Sequence, residues 1–199
     1  MKMNSILRIS MLVAIFAASI FVLQSGYFMA NIVYLLRGAQ AVRSVSSSPD
    51  SASTSSTPNQ LVIPSLDISV PIVESAGASE SEYQTALRHG VVHYPGTATV
   101  GKPGNAYIFG HSSDYPWSSG AYKSVFALLP KIADGASIYA SDGDGRTFEY
   151  RVTGTAVVGP KDKWVLDQHG NVRKMLTLQT SYPLGTALKR FVVFTEIVE

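Results

Sequence analysis

Three polar residues of this 199-residue chain stand at the ends of apolar runs. His111 follows Asn105–Gly110 (NAYIFG), Ser181 follows Leu176–Thr180 (LTLQT), and Arg190 opens the run RFVVFTEIV. An imidazole, a hydroxyl and a guanidinium can serve acyl transfer as proton carrier, attacking oxygen and fixed positive charge for a developing oxyanion. Each taken alone has a plainer reading. A histidine after a glycine is usually a turn residue, a serine after a threonine a strand cap, and an arginine at the start of a strand a solvated charge. Serine attack needs a neutral histidine as base, held in place by a third group. Asp114, three residues beyond His111, is a weak candidate orienter, and no GxSxG elbow is present. There is no cysteine, which excludes thiol catalysis, disulfides and thiolate metal sites in this chain.

The elements that must position these residues read as strands. Leu66, Ile68 and Val70 alternate with polar residues, and LVIP, LDISVPIVE, NAYIFG, ASIYAS, TFEYRVTGTAVV, KMLTLQT and RFVVFTEIV are short runs rich in Val, Ile, Tyr, Phe and Thr, bounded by Gly, Pro, Asp and Asn. Ser141–Gly145 (SDGDG) predicts a hairpin turn. Its DxDG resembles the start of a calcium loop, but the twelfth position is Thr153 and not the Glu such a loop requires. Ser81–Arg88 and Lys123–Leu129 are the two segments with helical patterning. Many short strands between Gln60 and Glu199 predict an all-β domain, a closed or nearly closed barrel. If the chain turns back over Tyr182–Thr186, Ser181 and Arg190 face each other at the mouth of a strand pair.

Three stretches together resemble a sortase: GVVHYPGTATVGKPGNAYIFGHSSDYPW (Gly90–Trp117), SVFALLPKIADGASIY (Ser124–Tyr139) and LTLQTSYPLGTALKRFVVF (Leu176–Phe194). Such enzymes carry a histidine after a strand and a glycine, as in Phe109–Gly110–His111. They carry a TLxTC motif at the end of a later strand, matched by Thr177–Ser181 except at the last residue, and an arginine at the start of the next strand, matched by Arg190. The resemblance covers about Leu61 to Ile197. It implies a closed eight-stranded β-barrel with short helices and a groove that takes a sorting signal such as LPxTG. In the family, a thiolate attacks the threonine carbonyl, an acyl-enzyme forms and an amine resolves it. The resemblance assigns His111, Ser181 and Arg190 to the catalytic positions, with histidine as acid to the leaving amine and arginine at the oxyanion. Thr180 and His93 are the candidate substrate-binding residues. The implied partners are the sorting-signal peptide of an exported protein and an amine acceptor, a cell-wall precursor or a pilin lysine. No cofactor and no metal are implied.

At Ser181 the chain departs from the family pattern. A thiol with a pKa of ~8.5 yields thiolate beside a cation, whereas a serine hydroxyl is far less acidic. Arg190 and a protonated His111 favour neither deprotonation of Ser181 nor a neutral histidine base. Two outcomes follow from this chemistry: a slow transpeptidase, or a catalytically silent sortase-fold module that binds peptides or proteins.

The rest of the chain concerns address. Met11–Leu36 is a nearly continuous apolar run without charge, long enough to cross a bilayer. Residues 1–10 then form a cytoplasmic N-terminus, 11–37 a transmembrane anchor, 38–59 a Ser-rich stalk and 60–199 the sortase-like domain outside a cell membrane. A cleaved signal peptide ending near Ser25 and Gly26 is the competing reading; the resumption of the apolar pattern through Leu36 favours an anchor in contact with membrane lipid. Ser44–Pro58 (SVSSSPDSASTSSTP) cannot bury enough apolar surface to fold. Lys2, Arg8, Arg37 and Arg43 flank the apolar run, while the chain from Gln60 onward has 12 basic and 13 acidic residues. That domain has no surplus of positive charge for nucleic acid.

Overall fold

The computed structural model describes residues 9–16, 57–114 and 118–198. Its strands are β1 (Gln60–Ile63), β2 (Ile68–Glu74), β3 (Val91–His93), β4 (Gly104–Phe109), β5 (Ser137–Ser141), β6 (Thr147–Val158), β7 (Lys174–Tyr182) and β8 (Lys189–Ile197). They close into a barrel in the order β1-β2-β3-β4-β7-β8-β6-β5. The pairs β2–β3 and β4–β7 are parallel, and the other neighbours run antiparallel. Alternation explains the interior: in β5, Ile138 and Ala140 point inward while Ser137 and Tyr139 are only half-buried. Leu61, Ile63, Val70, Ile108, Tyr150 and Leu178 share the same core. Each large aliphatic buried there contributes roughly 1.5–3 kcal/mol.

Local sequence explains where the observed elements depart from the pattern. β3 was not among the expected strands: three residues (VVH) are too few to show alternation, and all three are buried. Lys123–Leu129 does not form a helix; a series of turns leads into a single 3-10 turn, Leu129–Lys131. Pro130 lacks the N–H an α-helix needs and disfavours helical geometry in the residue before it. The other helix does form, as Glu80–Leu87, behind a capping box. Glu82 N donates to Ser79 Oγ at 3.3 Å, and Ser79 N donates to Glu82 Oε2 at 2.9 Å. Leu66 belongs to a 3-10 turn, so β2 begins only after Asp67, whose φ is 56°. The β5–β6 hairpin turns at Asp142, whose Oδ1 accepts from Asp144 N and Arg146 N. Arg146 pairs with both Asp142 and Asp144, so this loop is closed by its own charges.

Residues 9–16 are helical and exposed. The remainder of the expected anchor and the stalk up to residue 56 lie outside the described residues. Among the described residues no helix is long and apolar enough to cross a membrane, which says nothing of strands.

Candidate active site

Strand order puts three side chains in one row. In the parallel β4–β7 ladder, Phe109 lies beside Gln179. The pairing continues past the end of β4: Gly110 N donates to Gln179 O at 3.1 Å, and Thr180 Oγ1 donates to Gly110 O at 2.9 Å. His111 comes next, level with Ser181. On the other side of β7, the antiparallel register sets Ser181 opposite Arg190, the fold-back expected over Tyr182–Thr186. Neighbouring strands lie about 4.8 Å apart, so three adjacent strands deliver His111, Ser181 and Arg190 to one place. The three line a single cavity of about 350 Å³.

The segment that carries His111 is fixed from several directions. His111 O accepts from Phe126 N at 2.9 Å, and the Phe126 ring is fully buried. A Cβ on Gly110 would lie 2.8 Å from that ring and 2.9 Å from Val91, so the close approach requires glycine. Ser113 Oγ accepts from Gly185 N at 3.1 Å, tying the His111 loop to the β7–β8 loop. Helix Glu80–Leu87 forms one wall, with Glu80, Tyr83, Gln84 and Leu87 facing the cavity. Leu87 packs on Val92, and the Tyr83 ring meets Phe109 edge-on with centroids 5.2 Å apart. Sequence reasoning predicted a helix over Ser81–Arg88 but missed it as the wall of a site.

The electrostatics differ from the sequence-based expectation. Burial lowers His111 below the ordinary imidazole value, and the Asp114 and Glu80 carboxylates offset only part of that. That shift favours the neutral imidazole, the opposite direction from the protonated His111 of the sequence-based expectation. Yet no hydrogen bond joins it to Ser181, and Asp114 Oδ2 stands 4.0 Å from Nε2, beyond hydrogen-bond reach. Asp114 Oδ1 instead accepts from Ser118 Oγ at 2.9 Å. The imidazole is thus inclined toward its neutral form, unengaged with the hydroxyl and, among the described residues, without a bonded orienter. Arg190 has no ion-pair partner among the described residues, and its Nη1 donates to the carbonyls of Ala187 and Lys189, each at 3.0 Å. Its charge is felt by Tyr107: burial raises that phenol strongly while Arg190 pulls the other way. Tyr107 Oη donates to Gln179 Oε1 at 3.0 Å and so holds the Gln179 side chain beside the cavity.

The two residues named as substrate-binding lie elsewhere. Thr180 is fully buried and points beneath the row, where its hydroxyl supports Gly110. That follows from strand alternation: if Ser181 faces the cavity, its neighbour faces the core. His93 lines a different cavity with Glu74, Lys102 and Arg146.

Residues 61–198 match the family model of the sortase domain. The chain belongs to the sortase family. Sortase A from Corynebacterium diphtheriae is similar in structure, with a TM-score of 0.58 and 26% identity over 70% of this chain and 60% of that one. Thus this sortase spans less than two thirds of that relative. A Streptococcus pneumoniae sortase C matches with a TM-score of 0.57 and 25% identity, over 70% of this chain and 65% of that one. A Clostridium perfringens sortase D5 transpeptidase shares the fold, with a TM-score of 0.57 and 24% identity over 70% of this chain and 78% of that one. No curated protein matches this sortase. Sortases are transpeptidases, and the closed eight-stranded barrel here is theirs.

Proposed function

We propose that this sortase binds an LPxTG-like sorting signal of an exported protein and transfers it, slowly, to an amine through an acyl-enzyme on Ser181. The observation that carries the reading is the row His111–Ser181–Arg190 around one cavity, the three residues that the resemblance assigns to catalysis. The Ser181 oxygen attacks the threonine carbonyl, and its proton passes to neutral His111. The histidinium then protonates the leaving amine, and the Arg190 guanidinium stabilises the oxyanion. An incoming amine reverses the sequence, leaving a new amide and free Ser181. With the Ser181–His111 hydrogen bond unmade, attack is the slow step. Residues 11–37 anchor the chain in the cell membrane, 38–59 form a stalk, and the barrel works outside, where a cell-wall precursor or a pilin lysine supplies the amine.

A second reading, a silent sortase-fold module that binds peptides or proteins, is favoured by the same missing hydrogen bond. Peptide cleavage and amine transfer by the chain itself, by Ser181→Cys and by Ser181→Cys with His111→Ala separate the two. A rise on the order of 10²-fold in Ser181→Cys, lost again with His111→Ala, supports the transpeptidase site. An inert Ser181→Cys over a broad signal panel leaves the binding module.

A further inference from the structure

Past Arg190 the Ser181 cavity continues into a second one of about 480 Å³, beside the segment that follows β6. The two share Tyr94, Pro160, Gln179 and Arg190, so an extended peptide held at Ser181 can run from one into the other. The charges lining them are unequal. Lys161, Lys163 and Arg190 border the second cavity, with Asp162 as its one carboxylate. Asp162 Oδ2 is engaged by Gly159 N at 2.7 Å, a contact that shapes the loop. Among the described residues neither Lys161 nor Lys163 has an ion-pair partner. The opposite wall of the first cavity carries Glu80 and no cation. Positive charge therefore gathers on one side of Ser181, above a floor of Tyr107, Val165 and Leu166.

We propose that the acyl-donor peptide carries an acidic side chain, and that Lys161 and Lys163 hold it in this second cavity. The proposal rests on the sortase reading of Ser181 and adds the charge class of its substrate. It also adds discrimination: a lysine at the same peptide position meets two unpaired cations and is rejected. An exposed ion pair contributes a factor of ~1.4 to 5 in affinity, and two cations acting on one carboxylate multiply that factor.

The test is calorimetric titration of the full chain, in a neutral detergent, with peptides built on an LPxTG-like core. A single Glu, Gln or Lys is moved through the positions that precede the Thr. At one position Glu should bind ~5-fold tighter than Gln, and Lys more weakly than Gln. The preference should shrink at high salt, vanish in Lys161→Gln/Lys163→Gln, and turn toward Lys in Lys161→Glu/Lys163→Glu. Equal affinity for Glu and Gln peptides at every position, or a preference that survives the double Gln variant, overturns the proposal. The same panel given to Ser181→Cys with an amine keeps the two readings apart. Transfer without charge preference sinks only the acidic-signal proposal, and a Glu preference without transfer sinks only the catalytic reading. If no peptide binds, both fall.

Discussion

Two histidines at the ends of neighbouring strands, His93 closing β3 and His111 just beyond β4, are treated in opposite ways by the same barrel. The His93 ring is buried with every nitrogen partnered: Nδ1 lies 2.9 Å from Glu74 Oε2, and Nε2 lies 2.9 Å from Ala98 O and 3.0 Å from Thr97 Oγ1. Burial works against its charge, but the bond to Glu74, that carboxylate's charge and the Ala98 carbonyl outweigh it, and its pKa is raised. The His111 ring is also largely buried but has no hydrogen-bond partner among the described residues, and burial lowers its pKa. One histidine is consumed in holding β2, β3 and the following loop together. The other is held by its backbone and its ring is left free to act. The contrast separates a supporting histidine from one available for proton transfer better than burial alone does.

The sharpest way to break this comparison is to remove each ring in the Ser181→Cys background. His111→Ala should cut amine transfer by ~10²–10⁴-fold, the loss expected for a general acid–base group. His93→Ala should leave the turnover of folded molecules near that of its parent, measured as kcat/KM after titration of competent sites. If His93→Ala falls as far, the two histidines are not distinct in role. Arg190→Ala should lose ~10²–10³-fold in kcat, as for one oxyanion-stabilising group, while Arg190→Lys restores part of it.

Stability should rank the pair the other way. His93→Ala strands the Ala98 carbonyl and should cost ~1–3 kcal/mol in denaturant unfolding, more than His111→Ala costs. Thr180→Val removes the bond to Gly110 O and should cost ~1 kcal/mol, with a loss of transfer in Ser181→Cys because Gly110 carries His111.

The smallest expected effect is in the pH dependence of stability, and its sign differs between the two. The raised pKa of His93 contributes stability that is full below about pH 6.5 and is lost as pH rises through the folded value. The lowered pKa of His111 contributes stability present above about pH 6.5 and lost as pH falls through the folded value. Because Glu74 is largely exposed, salt should flatten the His93 limb first. Melting temperature between pH 5 and 9 should lose its alkaline decline in His93→Gln and part of its acid decline in His111→Gln.

Much of this was legible in the residue pattern, for physical reasons that also mark its limits. The strand β6 coincides with the run TFEYRVTGTAVV because aromatic and β-branched residues fill it and turn residues bound it. The facing of Ser181 and Arg190 follows from two strand-like runs joined by a short Pro/Gly turn. By contrast, β3 is too short for periodicity, and Pro130 outweighed the helical pattern before it. The lowering of the His111 pKa was not legible because it depends on burial, in a cavity His111 shares with Tyr83 and Leu87, groups distant in sequence whose approach no local pattern records. The inward turn of Thr180 was available from alternation once Ser181 was placed on the outer face. The Lys161 and Lys163 flank was not singled out in the sequence, because only the closed barrel brings it beside Arg190.

If the proposed function holds, a thiol in place of the Ser181 hydroxyl is enough for this site to form an acyl-enzyme readily. Intact-mass measurement after incubation with an LPxTG-type peptide and no amine tests it most directly. The account predicts an acyl adduct on Ser181→Cys within one round of mixing, none on its His111→Ala derivative, and slow accumulation at most on the chain itself. An adduct forming on the chain as fast as on Ser181→Cys would contradict the account, because the unengaged Ser181 hydroxyl would then be as good a nucleophile as the thiol.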